Sequence, residues 1–322
     1  MQVQKAIGGY FELELMQGQE YHQEAIRLNS GRNALEYILR LRKYKKVFIP
    51  FYTCDAVLTP INRLGLDYEF YAINQNFEPL FDFEKVEEGD AFLYTNYFGL
   101  KEDYVQHLSG RNFNLIIDNA QAFYAQPLMP VSNDTFYSAR KFFGVPDGAY
   151  LYANKKLTFE LEKDSSIERM EHLLLRHEKT AEDGYAIFSG NEEKLGNAPL
   201  QQMSRLTESL LCAINYAEAA EKRRKNFMYL HNNLNPDNQL QLPAIKNQVP
   251  MIYPFLSDKK DLRDKLISNR IFVPRYWPNV LQWAPENSLE KKWAENIIFL
   301  PIDQRYDKTD MDKIITIINS YS

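Results

Sequence analysis

The sequence contains only two cysteines, Cys54 and Cys212, which stand far apart and outside any CxxC or Cys/His cluster. This scarcity argues against a disulfide framework and against a structural zinc site. We therefore expect both thiols to be reduced.

Long apolar runs are also missing. No stretch approaches the roughly 18 apolar residues that a membrane-spanning helix needs, and residues 1–10 lack the charged and apolar regions of a signal peptide. We therefore expect a cytoplasmic protein that does not bind membranes.

The chain has no excess of basic charge. Its net charge of −5 is spread over mixed signs, and the cluster Lys43, Lys45 and Lys46 is typical of a solvated helix end. No GxGxxG motif opens a helix after the first strand, which disfavours a nicotinamide enzyme. With 45% hydrophobic and 25% charged residues, the composition is that of an ordinary globular protein that does not bind nucleic acid.

Helical and strand-like segments alternate in the first half of the chain. The stretch SGRNALEYILRLRKY predicts a helix with Ser30 as its N-cap. Short apolar runs predict strands at 47–49, 68–71, 91–95, 115–118, 135–138 and 149–153. This alternation predicts an α/β fold with a largely parallel sheet.

The second half begins with a different pattern. Residues 157–197 are charged and predicted helical, and residues 203–230 predict one long amphipathic helix. Alternating strands and helices return at 252–256, 261–268, 271–273, 297–300 and 310–318. We therefore expect a large domain at 1–202, a bridging helix at 203–232 and a small C-terminal domain at 233–322.

The residues suited to chemistry follow the predicted strands. Asp118 ends an apolar run, and open α/β sheets bind ligands at the carboxyl ends of their strands, although an aspartate there is more often a turn or cap residue. Lys141 precedes a Gly-Val-Pro-Asp-Gly turn, and an isolated lysine is by default a solvated charge. Its apolar neighbours Phe142 and Phe143 favour the neutral amine that forms Schiff bases.

Two segments carry a family resemblance. IIDNAQAF at 116–123 and FYSARKFFGVPDGAYL at 136–151 resemble the DegT/StrS sugar aminotransferases, which are fold-type I enzymes that depend on pyridoxal 5′-phosphate (PLP). Asp118 and Gln121 match the family's Asp-x-Ala-Gln motif. Lys141 stands six and seven residues before Asp147 and Gly148, as the family's lysine does before the second half of its Gly-Glu-Gly-Gly turn.

The resemblance implies a three-layer fold like that of aspartate aminotransferase, with a mostly parallel sheet, plus a smaller C-terminal α/β domain. It also implies that Lys141 is the Schiff-base lysine and later the general base, and that Asp118 holds the pyridine nitrogen. Gln121 would bond the ring's 3-hydroxyl oxygen. The remaining cofactor-binding candidates are Ser30, Gly31, Arg32, Tyr52, Cys54 and Ser138.

Some family positions differ in this chain. Arg32 stands where the family usually has threonine, so Arg32, Arg140 or Ser138 would complete the phosphate site. Cys54 replaces an aromatic residue that often stacks on the cofactor, so the ring would stack on Tyr52, Tyr97 or Phe98, although core packing is the commoner role of such side chains. The family's Gly-x-Asn-x-Arg segment, which reaches the partner's cofactor, appears at 196–200 without its arginine.

These patterns favour an aminotransferase that moves an amino group from an amino acid to a nucleotide-linked keto sugar or a similar polar ketone. Dehydration on the same scaffold and a catalytically weak, cofactor-retaining binding protein are the alternatives. The resemblance also implies a homodimer. The aromatic stretch at 7–13 would either cross to the partner or pack on its own domain.

Overall fold

The computed structural model describes residues 7–128 and 133–320. The strands are β1 (Ile26–Leu28), β2 (Lys46–Pro50), β3 (Asp67–Ile73), β4 (Pro79–Leu80), β5 (Asp90–Thr95), β6 (Leu115–Asn119), β7 (Asp134–Ser138), β8 (Ala149–Tyr152), β9 (Tyr253–Phe255) and β10 (Ile298–Leu300). The helices are α1 (Gly31–Arg42), α2 (Leu58–Leu64), α3 (Glu102–Ser109), α4 (Glu171–Glu178), α5 (Ala181–Asn197), α6 (Arg205–Cys212), α7 (Tyr216–Leu234), α8 (Leu262–Ser268), α9 (Val280–Trp283), α10 (Leu289–Asn296) and α11 (Lys308–Asn319).

Eight strands form one mixed sheet in the order β1-β8-β7-β6-β5-β2-β3-β4. The five central strands, from β7 to β3 in that order, are parallel, and the strands on either side pair antiparallel. Strands β9 and β10 form a separate antiparallel pair in the C-terminal part. The predicted α/β fold with a largely parallel sheet is confirmed.

The two faces of the large sheet bury different side chains because strand residues alternate between faces. Val47 and Ile49 of β2 and Leu93 of β5 belong to a mainly aliphatic core that α1 and α2 cover. Phe48 and Phe92 face the other way, into a core rich in aromatic rings that continues into the C-terminal part. The sheet therefore lies between two layers.

Helix α1 begins as predicted. Ser30 has extended backbone angles, and its hydroxyl accepts a hydrogen bond from the backbone N–H of Asn33 at 3.2 Å. This N-cap satisfies one of the free donors in the first turn of the helix. No helix in the described ranges is long and apolar enough to cross a membrane.

Three predicted elements differ from the structure. The helix predicted at 203–230 is broken into α6 and α7, because the Asn215 side chain caps a new helix by accepting from Glu218 N–H at 3.2 Å. Residues 157–166 are irregular rather than helical. Residues 271–273 form no strand, since the N–H of Ile271 bonds to the carbonyl of Leu266 at the end of α8.

Candidate functional site

The carboxyl ends of the parallel strands bring the predicted site residues to one edge of the sheet. Asp118 is the fourth residue of β6, and Ser138 is the last residue of β7. A single turn of 3-10 helix, Ala139–Lys141, follows β7 directly. Because β6 and β7 run parallel and adjacent, Lys141 emerges beside the end of the strand that carries Asp118.

Asp118 is a buried carboxylate with a defined set of neighbours. Its Oδ1 atom accepts a hydrogen bond from the backbone N–H of Ala120 at 2.8 Å, and Thr95 of β5 lies opposite it in the sheet. Burial raises the pKa of Asp118, while the nearby positive charge of Lys141 and the hydrogen bond from Ala120 oppose that rise. Asp118 is thus poised to pair with a cation at this edge.

Gln121 lies in the turn after β6 with almost no exposed surface. Its Oε1 atom accepts from the backbone N–H of Phe98 at 3.0 Å, whereas its Nε2 atom is buried and has no hydrogen-bond partner among the described residues. Phe98 itself has a left-handed backbone conformation (φ 59°). Buried amide donors are nearly always satisfied, so the free Nε2 is available to an acceptor from a ligand or a water molecule.

The N-terminus of α1 and the end of β7 meet at the same edge. A Cβ atom at Gly31 would lie 3.9 Å from the Cβ atom of Ser138, so the first turn of the helix and the Ser138 side chain are neighbours. The first turn contains no acidic residue. Free N–H groups and the helix dipole make such a terminus receptive to phosphate.

Arg32, the second residue of α1, turns its half-buried guanidinium toward α5. The Nη1 atom lies 3.0 Å from the position that a Cβ atom at Gly196 would take. Within the described residues the guanidinium makes no hydrogen bond, and its Nε atom is fully buried. Burial lowers the pKa of Arg32, and Cys54 and Asp55 partly offset this effect. Because a partly buried charge is costly unless it is paired, an anion bound here would be stabilised by Arg32.

Cys54 follows β2 and lies near both Arg32 and Lys141. Burial raises the pKa of its thiol, and the charge of Lys141 lowers it. Tyr52, by contrast, lies fully inside an aromatic group, with ring centroids 5.9 Å from Tyr97 and 4.7 Å from Trp277. The structure therefore brings Cys54, Asp118 and Lys141 together, and it places Tyr52 deeper in the core.

Sequence reasoning missed the contribution of α5. Arg140, the residue before Lys141, is partly buried and pairs with Glu192 of α5, and desolvation lowers its pKa to about 10. Asn33 of α1 donates to the carbonyl of Pro199 at 2.7 Å, so the segment after α5 is fastened to the start of α1 in the same chain. These contacts join residues far apart in sequence, and no local signal marks them.

Among the described residues, no group of His, Cys, Asp and Glu side chains is arranged to hold a metal ion. The arrangement is instead a set of hydrogen-bond donors suited to an anion at the start of α1, and the buried carboxylate of Asp118 with Lys141 close to it. Lys141 is exposed, so Phe142 and Phe143 do not enclose its amine as the sequence led us to expect.

Comparisons with known proteins found their matches among solved structures. No family model and no curated protein matches the chain. DesV from S. venezuelae is 17% identical, with a TM-score of 0.64 over 92% of this chain and 84% of that one. A DegT DnrJ EryC1 StrS aminotransferase from Brucella abortus is also 17% identical, with a TM-score of 0.61 over 92% and 85% of the two chains.

A third similar structure is the PLP form of Spr1654 from Streptococcus pneumoniae, at 15% identity and a TM-score of 0.63 over 92% of this chain and 88% of that one. The large, mostly parallel sheet, its flanking helices and the small C-terminal strand pair are thus arranged as in proteins that include sugar aminotransferases. This chain has their fold.

Proposed function

We propose that this protein is a PLP-dependent aminotransferase. The observation that carries the proposal is the placement of Lys141 beside the buried Asp118, with the unpartnered Nε2 of Gln121 at the same sheet edge. A PLP-binding aminotransferase needs a nucleophilic amine, a carboxylate and a hydrogen-bond donor in this relation. The fold shared with solved aminotransferases supports the same assignment.

The residues present fit this cofactor. When bound, PLP withdraws electrons from the substrate carbon whose proton is moved. Asp118 would hold the pyridine nitrogen protonated, because a buried carboxylate stabilises a cation beside it. Gln121 would donate from Nε2 to the ring's 3-hydroxyl oxygen. Such an oxygen would satisfy the buried, unpartnered Nε2 donor of Gln121.

We assign phosphate binding to the start of α1 and the end of β7. The backbone N–H groups of Gly31 and Arg32, the hydroxyls of Ser30 and Ser138, and the Arg32 guanidinium would surround the phosphate. Lys141, once released from the cofactor by an incoming amine, would carry the proton between carbon atoms as general base. Cys54 lies next to Lys141 and would border the cofactor ring.

We further propose an amino acid as the amine donor and a nucleotide-linked keto sugar, or a similar polar ketone, as the acceptor. Similarity to solved sugar aminotransferases supports this choice. Dehydration on the same scaffold would need the same lysine and carboxylate, so only product analysis separates the two reactions. A binding protein with weak activity is the remaining alternative, because residues 196–200 lack an arginine.

The assembly belongs to the proposal as well. Tyr10 and Phe11 are 99% and 92% exposed, so they do not pack on their own chain. A two-fold homodimer would cover this apolar stretch by crossing of the N-terminal segment. Light scattering at micromolar concentration should then give twice the 37.9 kDa chain mass. A monomer that still binds PLP would contradict the shared assembly.

We propose a cytosolic location and keep the division into a PLP-binding domain at 1–202, a connecting region at 203–232 and a C-terminal domain at 233–322. The sheet edge that carries Asp118 and Ser138 would receive the substrates.

The direct test of function is an amine-transfer assay. Purified protein with PLP and glutamate should release 2-oxoglutarate in amounts that match the cofactor present, and Lys141→Ala should abolish this release. Lys156→Ala, which changes an exposed lysine elsewhere, should not affect it. Binding of PLP without any oxoglutarate release from several amino acids would favour the binding-protein alternative.

A further inference from the structure

The turn that follows Lys141 contains a carboxylate that the proposed chemistry does not use. Asp147 is completely buried. Its oxygens accept hydrogen bonds from the backbone N–H and the hydroxyl of Ser204, each at 3.0 Å, and from the hydroxyl of Thr207. The Nη2 atom of Arg169 lies 3.6 Å away. All three hydrogen bonds to Asp147 thus come from one neighbouring segment, residues 204–207.

That segment is the start of α6. Ser204 is the N-cap of α6, and Thr207 lies in its first turn. A carboxylate at a helix N-terminus is favoured by the free N–H groups and by the helix dipole. Burying a charge is costly unless it is paired, so this set of donors makes Asp147 a strong and directional anchor between the turn and α6.

The same turn is fastened to both ends of the cofactor site. The N–H of Gly148 donates to the carbonyl of Asn29 at 2.8 Å, and Asn29 immediately precedes Ser30. The carbonyl of Gly148 accepts from the N–H of Ala139 at 3.1 Å, and Ala139 is two residues before Lys141. A displacement of the turn would therefore move the phosphate end and the lysine relative to each other.

The backbone of the turn also packs closely against α6 at Gly148. Gly148 has a φ angle of +117°, which side-chain-bearing residues rarely adopt, and a Cβ atom there would lie 3.0 Å from Cγ2 of Thr207. Asp147 and Gly148 therefore hold the turn against α6 by two separate means, a set of hydrogen bonds and a close backbone approach.

We infer that Asp147 is a positioning residue for Lys141: by holding the turn on α6, it sets the position of the lysine relative to Ser30. This inference rests on the proposed function. It goes beyond it by giving a role to a residue that touches neither cofactor nor substrate. Misplacement of a reacting group by about 1 Å commonly costs on the order of 100-fold in rate.

Asp147→Asn tests the inference, with Asp134→Asn as the matched control. Asp134 is also buried and ion-paired, to Arg42 at 2.7 Å, but it lies at the opposite end of β7. Both variants lose a buried charge, so both should lower the thermal unfolding temperature. PLP that is joined to a lysine absorbs visible light, so the visible absorption band reports the reaction of Lys141 with the cofactor. Only Asp147→Asn should slow the appearance of this band on mixing with PLP, by roughly tenfold or more.

Steady-state kinetics give a second readout. Asp147→Asn should lower kcat by roughly tenfold or more while the KM for the amine donor stays within about twofold, because the loss concerns lysine geometry rather than donor binding. Equal slowing of the absorption band in both variants, or none in Asp147→Asn, would overturn the positioning role.

A milder variant covers the case in which Asp147→Asn does not fold. Thr207→Val removes one donor to Asp147, and it should slow the absorption band in the same direction but less strongly. A band that forms at the wild-type rate in Thr207→Val would count against the role. If the wild-type protein itself never develops a visible band, the proposed function falls and this role falls with it, whereas wild-type behaviour of the variants overturns only the role.

Discussion

The Oε1 atom of Gln121 accepts a hydrogen bond of 3.0 Å from the backbone N–H of Phe98, and this bond fixes which end of the amide remains free. The free end is a buried donor. In the proposed complex it faces an oxygen of the cofactor ring, so the orientation of one side chain is set by a neighbouring loop before any ligand binds.

Gln121→Glu should therefore weaken PLP binding. The variant keeps an acceptor for Phe98 but places a second carboxylate oxygen where the donor Nε2 had been. Loss of a hydrogen bond to a charged group costs about 1.5–3 kcal/mol, so we expect at least a roughly tenfold rise in the dissociation constant. Gln106→Glu, the same change at an exposed position on α3, is the control, and equal affinities in the two variants would contradict the assignment.

Asp118→Asn should bind the cofactor but turn over slowly. The amide can still accept from the N–H of Ala120, yet it has no charge with which to keep the pyridine nitrogen protonated. We expect kcat to fall by about 100-fold or more, which corresponds to about 2.7 kcal/mol in the barrier. Activity within about tenfold of wild type at saturating PLP would mean that Asp118 has a lesser part.

Arg32→Gln should separate phosphate binding from ring binding. The guanidinium has no hydrogen-bond partner among the described residues, so its removal breaks no described hydrogen bond. Affinity for PLP should fall by roughly 10-fold to 100-fold, as for the loss of a charge-assisted bond, while affinity for pyridoxal, which has no phosphate, should not change. Arg63→Gln removes a nearby charge that is paired with Glu36 and serves as the control. Equal losses for PLP and pyridoxal would argue against a phosphate contact.

His22 should make stability depend on pH. The ring is buried, its Nε2 atom lies 2.7 Å from the carbonyl oxygen of Phe123, and burial lowers its pKa to about 4. Because the folded state keeps the ring neutral, this contribution to stability is present above pH 6.5 and is lost as the pH falls towards 4. The full effect is about 3 kcal/mol.

The measurement for His22 is the difference in free energy of unfolding between wild type and His22→Gln. A difference is needed because burial raises the pKa of Glu102 to about 7. The contribution of Glu102 to stability therefore rises as the pH falls below 7, which opposes the loss from His22. The difference should shrink as the pH falls from 6.5 to 4. A difference that stays constant over this range would show that His22 does not titrate as expected.

Much of the fold follows from local patterns in the sequence. The apolar runs at 91–95 and 115–118 became β5 and β6 almost residue for residue, because buried parallel strands need continuous apolar segments. Helices α2 and α3 were not predicted. Strand β1 was missed as well, since three residues with one buried side chain leave little signal.

The placement of Asp118 and Lys141 at one edge of the sheet was predictable, because each follows an apolar run that forms a parallel strand, whereas their roles remain proposals. Other parts depend on distant contacts. The free end of Gln121 is decided by the backbone of Phe98, and the surroundings of Arg32 are decided by α5. The break between α6 and α7 has a local cause instead. The Asn215 side chain caps α7, and this cap outweighs a continuous amphipathic pattern that predicts one helix.

Covalent capture of the cofactor tests the central claim most directly. Purified protein incubated with PLP should absorb in the visible range, and reduction with borohydride followed by peptide mass spectrometry should find the cofactor fixed to Lys141. Lys141→Arg should lose both signals while remaining folded. Cofactor fixed to a different lysine, or no fixed cofactor in a protein that is fully folded, would contradict the account.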